Sequence, residues 1–78
     1  MSTLLVDASA VDARIDERFL HVVLRDGRVL SAPLQWFPRL EAATAAERAE
    51  WRIIGRGEGI RWPLLDEDVS VAGLLRTS

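Results

Sequence analysis

Alternating apolar and polar residues predict antiparallel strands in the first half of the chain. Residues 11–15 alternate with the period of a half-buried strand. A run rich in β-forming residues then covers 19–25, Asp-Gly follows it, and a second apolar run covers 28–34 until Pro33 interrupts it. Asp-Gly between two apolar runs predicts a type I′ hairpin turn, in which Gly27 supplies a required positive φ. We therefore assign Gly27 a structural role.

A two-residue loop at Asp-Gly would also set the register of this hairpin. Leu24 would face Val29, and His21 would face Ala32. Both faces of the hairpin would then be apolar, one with Leu20, Val22, Leu24 and Val29, and the other with Phe19, Val23, Leu30, Ala32 and Leu34. Antiparallel sheets commonly leave one face in water. We therefore expect both faces to be covered, one by the helix after Thr44 and the other by terminal segments or a second chain.

The second half of the chain predicts short helices and further strands. Thr44 and Glu47 form a capping box, which predicts a helix in "TAAERAEW". "WRIIG" predicts a fourth strand, and 60–62 a fifth, which Pro63 ends because it lacks an amide donor. Ser70 is a candidate N-cap for a last helical turn. The order predicts an α+β domain: a small antiparallel sheet of about five short strands, one short helix and a C-terminal helical turn.

Length and composition indicate a single small domain. We assign residues 1–10 to a flexible N-terminal segment and 11–78 to the domain. The chain is 49% hydrophobic, which argues against disorder, while its charges are too frequent for a membrane span. "MSTLLVDASA" lacks the basic start and the long apolar run of a signal sequence, so we expect a cytoplasmic protein with no membrane association.

Charge and residue types exclude several functions. The net charge is −2, which argues against direct nucleic-acid binding, since phosphate contacts usually need a concentrated basic face. All ten basic residues are arginine. With one histidine and no cysteine, a structural zinc site lacks ligands. A Ser-His-Asp triad could be written from Ser31, His21 and Asp26, but Ser31 lies within a strand and not on a strained turn. We expect no catalytic residues, no metal and no cofactor.

The tryptophans have two open interpretations. Trp36, Trp51 and Trp62 lie in different predicted elements. One tryptophan buries roughly 150–250 Å², so each is interpreted as core before it is interpreted as an exposed binding platform. The adjacent aromatic pair Trp36 and Phe37 is kept as a candidate partner contact.

The segment "GIRWPLLDEDVS" combines a predicted core closure with an acidic edge. We expect Trp62, Leu64 and Leu65 to close the core, and Pro63 to end the strand and set the exit angle. The three carboxylates of residues 66–68 cannot all be buried without large desolvation costs, so at least two should face water. The acids in question are Asp66, Glu67 and Asp68. They are candidate contacts that steer a basic partner; the alternative is that they only solubilise this end of the domain.

Two segments together resemble a known family. "LRDGRVLSAPLQWFPRLEAAT" and "GIRWPLLDEDVSVAGLL" resemble the small bacterial family named domain of unknown function 2442, over residues 11–75. The resemblance implies a compact α+β module without catalytic residues. Some members of that family carry an added helix-turn-helix domain, and some are encoded beside a short partner protein in a toxin–antitoxin-like arrangement.

Two functional hypotheses of different class follow. In the first, the chain is a non-catalytic protein-interaction module with a protein partner, antitoxin-like in its narrower form, and a homo-oligomer is an open possibility. In the second, it is a regulatory domain acting on nucleic acid directly or through a DNA-binding partner. The negative net charge favours the first.

Overall fold

The computed structural model of the protein describes residues 6–77 and shows an α+β fold. In this range six strands form two antiparallel sheets of three strands, in the orders β1-β2-β3 and β4-β5-β6. The strands are β1 (Ala10–Ile15), β2 (Phe19–Leu24), β3 (Val29–Pro33), β4 (Arg52–Ile54), β5 (Gly59–Trp62) and β6 (Glu67–Ser70). The helices are α1 (Pro38–Glu41), α2 (Ala45–Ala49) and α3 (Val71–Thr77), with 3₁₀ turns at Leu34–Trp36 and Pro63–Leu65. The predicted fold class is confirmed; β6 was not predicted, and two sheets replace the one expected.

The hairpin between β2 and β3 has a three-residue loop instead of the predicted two-residue loop. The Gly27 N–H donates to the Leu24 carbonyl at 3.0 Å, and the Leu24 N–H donates to the Arg28 carbonyl at 2.8 Å. Gly27 has φ 95°, whereas Asp26 does not have a positive φ. A type I′ turn needs positive φ at both central residues. The geometry is instead that of a turn closed by one glycine in the left-handed region, so the type I′ prediction is wrong.

This extra loop residue shifts the register by one position. Leu20 pairs with Ala32, and His21 pairs with Ser31, not with Ala32. Because side chains alternate along a strand, a one-residue shift moves the whole apolar set of β3 to the other face. Leu20, Val22, Leu24, Ala32 and Leu34 are consequently all buried.

The outer face of the first sheet is left partly open. Phe19 is 40% exposed and Val29 is 52% exposed. The expectation that both faces would be covered is therefore wrong for this chain alone. Its cause is the register error, since the correct pairing gathers the large aliphatic side chains on one face.

The two sheets share one core. The Ala10 N–H donates to the Gly57 carbonyl at 2.8 Å, which holds β1 against the turn before β5. A Cβ on Gly57 would lie 2.6 Å from the Ser9 Cβ, so this approach requires glycine. The buried apolar residues from both halves include Leu20, Leu24, Leu40, Ile60, Trp62 and Val69.

The predicted capping box of α2 is confirmed. The Glu47 N–H donates to Thr44 Oγ1 at 3.1 Å, and the Thr44 N–H donates to Glu47 Oε1 at 2.8 Å. None of the residues of α2 is buried. The helix is instead tied down by Arg48, which donates to the carbonyls of Leu40 at 2.9 Å and Glu41 at 3.0 Å. These carbonyls end α1, where backbone acceptors otherwise lack partners.

The segment before β1 runs beside the β2–β3 loop. The Arg25 N–H donates to the Ser9 carbonyl at 2.8 Å, and the Asp26 N–H donates to the Asp7 carbonyl at 3.2 Å. For residues 1–5, the expectation of flexibility lies outside the described residues. Within the described range, no helix has the length and apolar content that crossing a membrane requires.

Candidate functional site

The three tryptophans have different environments. Trp62 is completely buried, and its indole Nε1–H donates to the Arg48 carbonyl at 3.0 Å. Trp51 is half-buried and packs against the core. Trp36, at the end of the first 3₁₀ turn, is 52% exposed. The core interpretation is therefore wrong for Trp36, which lies at the surface in the 3₁₀ turn that precedes α1.

Trp36 lies at a groove that brings together several predicted contact residues. The groove has a volume of about 310 Å³ and is lined by Trp36, Phe37, Asp68, Val69, Ser70, Gly73 and Leu74. One wall thus comes from the junction of the first 3₁₀ turn with α1, and the other from β6 and the start of α3. The fold brings Trp36, Phe37 and Asp68 to the same groove, although thirty residues separate Phe37 from Asp68.

The acidic run at 66–68 is organised by one arginine. Arg61 on β5 donates from Nη1 to Asp68 Oδ1 at 2.8 Å and from Nη2 to Asp66 Oδ1 at 3.0 Å. These bonds, the one to Asp68 first, raise the pKa of Arg61 above its usual value. The side chains of Asp66 and Asp68 are 81% and 57% exposed, so two carboxylates face water as predicted. Glu67, which is half-buried, pairs with Trp62 in the β5–β6 ladder.

The turn that leads into this run differs from the predicted core closure. Pro63 follows Trp62 directly and begins the 3₁₀ turn that ends β5. Leu65 packs against the core, but Leu64 is 62% exposed, so its predicted core position is wrong. Asp66 has φ 50° and ends the turn in the left-handed region. Its carbonyl accepts a hydrogen bond from Arg39 Nη1 at 2.6 Å, which ties α1 to the start of β6.

Gly27 lies outside this groove, in the β2–β3 loop. A Cβ built on Gly27 meets nothing within 4 Å, so space does not demand glycine there. Glycine is favoured there because of its φ of 95°, which L residues rarely adopt.

His21 takes part in a chain of side-chain hydrogen bonds on the outer face of the first sheet. Its Nδ1 and Ser31 Oγ are 2.6 Å apart, and its Nε2 and Asp16 Oδ2 are 2.7 Å apart. Asp26, which the sequence suggested as the acid of a triad, instead accepts bonds from Arg28 Nε and the Asp7 N–H. The carboxylate beside His21 is instead that of Asp16, which closes the tight β1–β2 turn.

The geometry of Asp16 favours a structural role for this chain of hydrogen bonds. Asp16 Oδ1 accepts from the N–H groups of Arg18 at 2.8 Å and Phe19 at 2.7 Å. The hydrogen bond with His21, followed by these two backbone bonds, lowers the pKa of Asp16 to about 2. Hydrolases place the nucleophile on a strained turn beside preorganised oxyanion donors. Ser31 lies within β3 and pairs with His21 across the ladder.

The described surface lacks a metal-ligating cluster, and several of its arginines are paired with aspartates. Within residues 6–77, no three histidine, aspartate or glutamate side chains are grouped to hold a metal ion. Four of the ten arginines, at positions 14, 25, 28 and 61, lie in ion pairs with aspartates.

Comparison with known proteins agrees with the fold. The family model described as protein of unknown function DUF2442 matches residues 10–78. The chain belongs to this family. A solved structure of a protein of unknown function from Rhodospirillum rubrum is 31% identical, with a TM-score of 0.73, over 88% of this chain and 86% of that chain. No curated protein matches the sequence.

Sequence reasoning missed two parts of this surface. It treated 66–68 as a rim, whereas β6 begins at Glu67, and it did not select Asp16. The second had a local signal: in "DERF", an aspartate precedes amides two and three residues later, which is the pattern of a side-chain-closed turn. Strand β6 had no such signal, since acidic residues are depleted in strands.

Proposed function

We propose that this DUF2442 protein is a non-catalytic, cytoplasmic protein-interaction module, and that its contact surface is the groove at Trp36. The observation that carries the proposal is a tryptophan 52% exposed at the mouth of an apolar groove in a chain that fully buries another tryptophan. Large aromatic side chains supply much of the binding free energy at protein interfaces, above all when a partner completes their burial.

The size of the groove indicates what kind of partner contact is involved. A volume of about 310 Å³ accommodates one or two side chains. Stable interfaces bury about 1,200–2,000 Å² in total. The partner would therefore insert an anchoring side chain beside Trp36 and extend over the neighbouring β6 and acidic run.

The test is capture of a partner from the native host, compared between two surface variants. Trp36→Asp should abolish capture of a stoichiometric partner. Val29→Asp is the matched control, because Val29 is also 52% exposed but lies on the outer face of the first sheet. Loss of the partner with Val29→Asp and retention with Trp36→Asp would move the interface to the sheet and reject the groove.

An antitoxin-like role is the narrower form of this proposal. It rests on the family resemblance, and co-purification with the product of an adjacent gene would support it. The alternative, a regulatory domain that contacts nucleic acid, has less support because ion pairs with aspartates already engage Arg14, Arg25, Arg28 and Arg61.

A further inference from the structure

Strand β6 is an edge of the second sheet, and its pairing shows which backbone groups point outward. The Val71 N–H donates to the Glu58 carbonyl at 2.9 Å, one step beyond the Gly59–Ser70 pair. Hydrogen-bonded pairs alternate along an antiparallel ladder, so the next such pair is Ile60 with Val69. The Arg61–Asp68 pair comes next along the ladder after Ile60–Val69, so it is a non-hydrogen-bonded pair. The N–H and C=O of Asp68 therefore point away from β5, toward the open edge.

The groove runs along this open edge. Its walls are residues 68–70 of β6 on one side and Trp36 with Phe37 on the other. A backbone that lay beside β6 would reach the outward groups of Asp68. Side chains alternate between faces, so its residue opposite Val69 would point into the groove, and its residue opposite Asp68 would point to the face where Asp68 meets Arg61.

We propose that β6 accepts an extended segment of a protein partner as an added strand, with a basic residue opposite Asp68 and an apolar residue opposite Val69. This rests on the proposed function and specifies how the partner binds. In strand addition, main-chain hydrogen bonds supply affinity, and pockets for alternate side chains supply specificity.

The preference for a basic residue in the partner's segment follows from the charges along the edge of β6. Asp68 is the only charged residue among those that line the groove, and its side chain is 57% exposed. Asp66 and Asp68 share Arg61 as their ion-pair partner, so this group of three carries one excess negative charge, while Arg39 bonds the Asp66 carbonyl and not its carboxylate. An opposite charge directly across a strand pair is stabilising, and a like charge is destabilising. A second copy of this chain would bring the same acidic run to the edge, which disfavours self-pairing.

The probe is a set of three acetylated and amidated peptides followed by amide chemical shifts of the isotope-labelled protein. The first is Thr-Thr-Leu-Arg-Thr-Thr, which places arginine opposite Asp68 and leucine opposite Val69 when it runs antiparallel to β6. The second has glutamate in place of arginine, and the third carries an N-methyl group on the arginine amide. The first should shift the Asp68 and Ser70 amides and the Trp36 indole. The N-methyl peptide should bind about fivefold more weakly, since one main-chain hydrogen bond is lost.

Charge exchange on the protein completes the test. Asp68→Lys should weaken binding of the arginine peptide and strengthen binding of the glutamate peptide. Asp12→Lys is the control, because Asp12 is also ion-paired, with Arg14 at 3.2 Å, but lies on β1. The N-methyl comparison keeps the test valid should Asp68→Lys fold poorly, because it leaves the protein unchanged.

Other results would overturn strand addition. They are the absence of shifts at millimolar peptide, equal binding of the N-methyl peptide, shifts confined to Phe19 and Val29, or a concentration-dependent dimer that buries β6. If any of these occurs while Trp36→Asp still abolishes partner capture, the interaction module stands and the strand mode fails. If wild-type protein captures no partner either, both proposals fail.

Discussion

Replacing Trp62 with phenylalanine tests whether one buried indole stabilises the fold by joining β5 to the end of α2. Trp62 is 0% exposed, and its indole donates a hydrogen bond from β5 to the Arg48 carbonyl near the end of α2. Truncation to alanine would cost about 3–5 kcal/mol. A domain of this length has a total stability of only about 4–12 kcal/mol. Phenylalanine is the better choice because the variant should stay folded.

The expected cost of Trp62→Phe has two parts. The smaller ring leaves a cavity that costs about 1 kcal/mol. The Arg48 carbonyl loses its indole donor at a helix end, and an unsatisfied acceptor in this part-buried position costs about 1–3 kcal/mol. We expect the free energy of unfolding to fall by about 2–4 kcal/mol from these two terms.

The assay is urea unfolding followed by far-ultraviolet circular dichroism, with a common m-value for all variants. Trp36→Phe is the internal control: Trp36 is 52% exposed, so its change should stay within about 0.5 kcal/mol. Equal costs for the two variants, or a larger cost for Trp36→Phe, would refute the assignment of Trp62 as core and Trp36 as surface.

Three further perturbations test other parts of the structure, and a fourth measurement tests its chemistry. The pKa of Asp16 is lowered to about 2 from the ordinary 3.8, so its stabilising effect is full above pH 4 and is lost as pH falls toward 2. Asp16→Asn should flatten the melting-temperature profile in that window, and an unchanged profile would reject the lowered pKa of Asp16. Gly27→Val should lower the melting temperature because a β-branched residue at positive φ costs about 1–2 kcal/mol or more, and Gly27→Asn should lower it less, which thermal denaturation can compare. Arg48→Met should cost about 1–3 kcal/mol in urea unfolding because the Leu40 carbonyl loses a charged donor, whereas a neutral result would mean that water replaces it. Elemental analysis of the purified protein should find no stoichiometric transition metal.

Features decided by neighbouring residues could be predicted from the sequence. The capping box needs only Thr44 and Glu47 at the correct spacing, and both bonds form. The end of β5 needs only Pro63, which cannot donate to the ladder. These signals hold because a local backbone conformation satisfies them without help from the rest of the chain.

Register could not be predicted in the same way. Asp-Gly occurs both in two-residue loops and in three-residue loops whose last residue is glycine. The choice depends on which register buries the large side chains, and here Leu30 and Ala32 join Leu20 and Val22 on one face. A single inserted loop position therefore decides whether the sheet has one apolar face or two.

The same limit explains why β6 and the candidate site were only partly predicted. Asp66 and Asp68 taken alone disfavour a strand, and their approach to Arg61 arises only when β5 and β6 pair. Once Arg61 holds both carboxylates on one face, Val69 can alternate to the other face and enter the core. Among residues 6–77 no further strand pairs with this edge, and α3 begins at Val71 directly after it. The pairing that turns an acidic segment into a strand therefore also leaves the backbone of Asp68 facing outward beside Trp36, where a partner's strand is expected to bind.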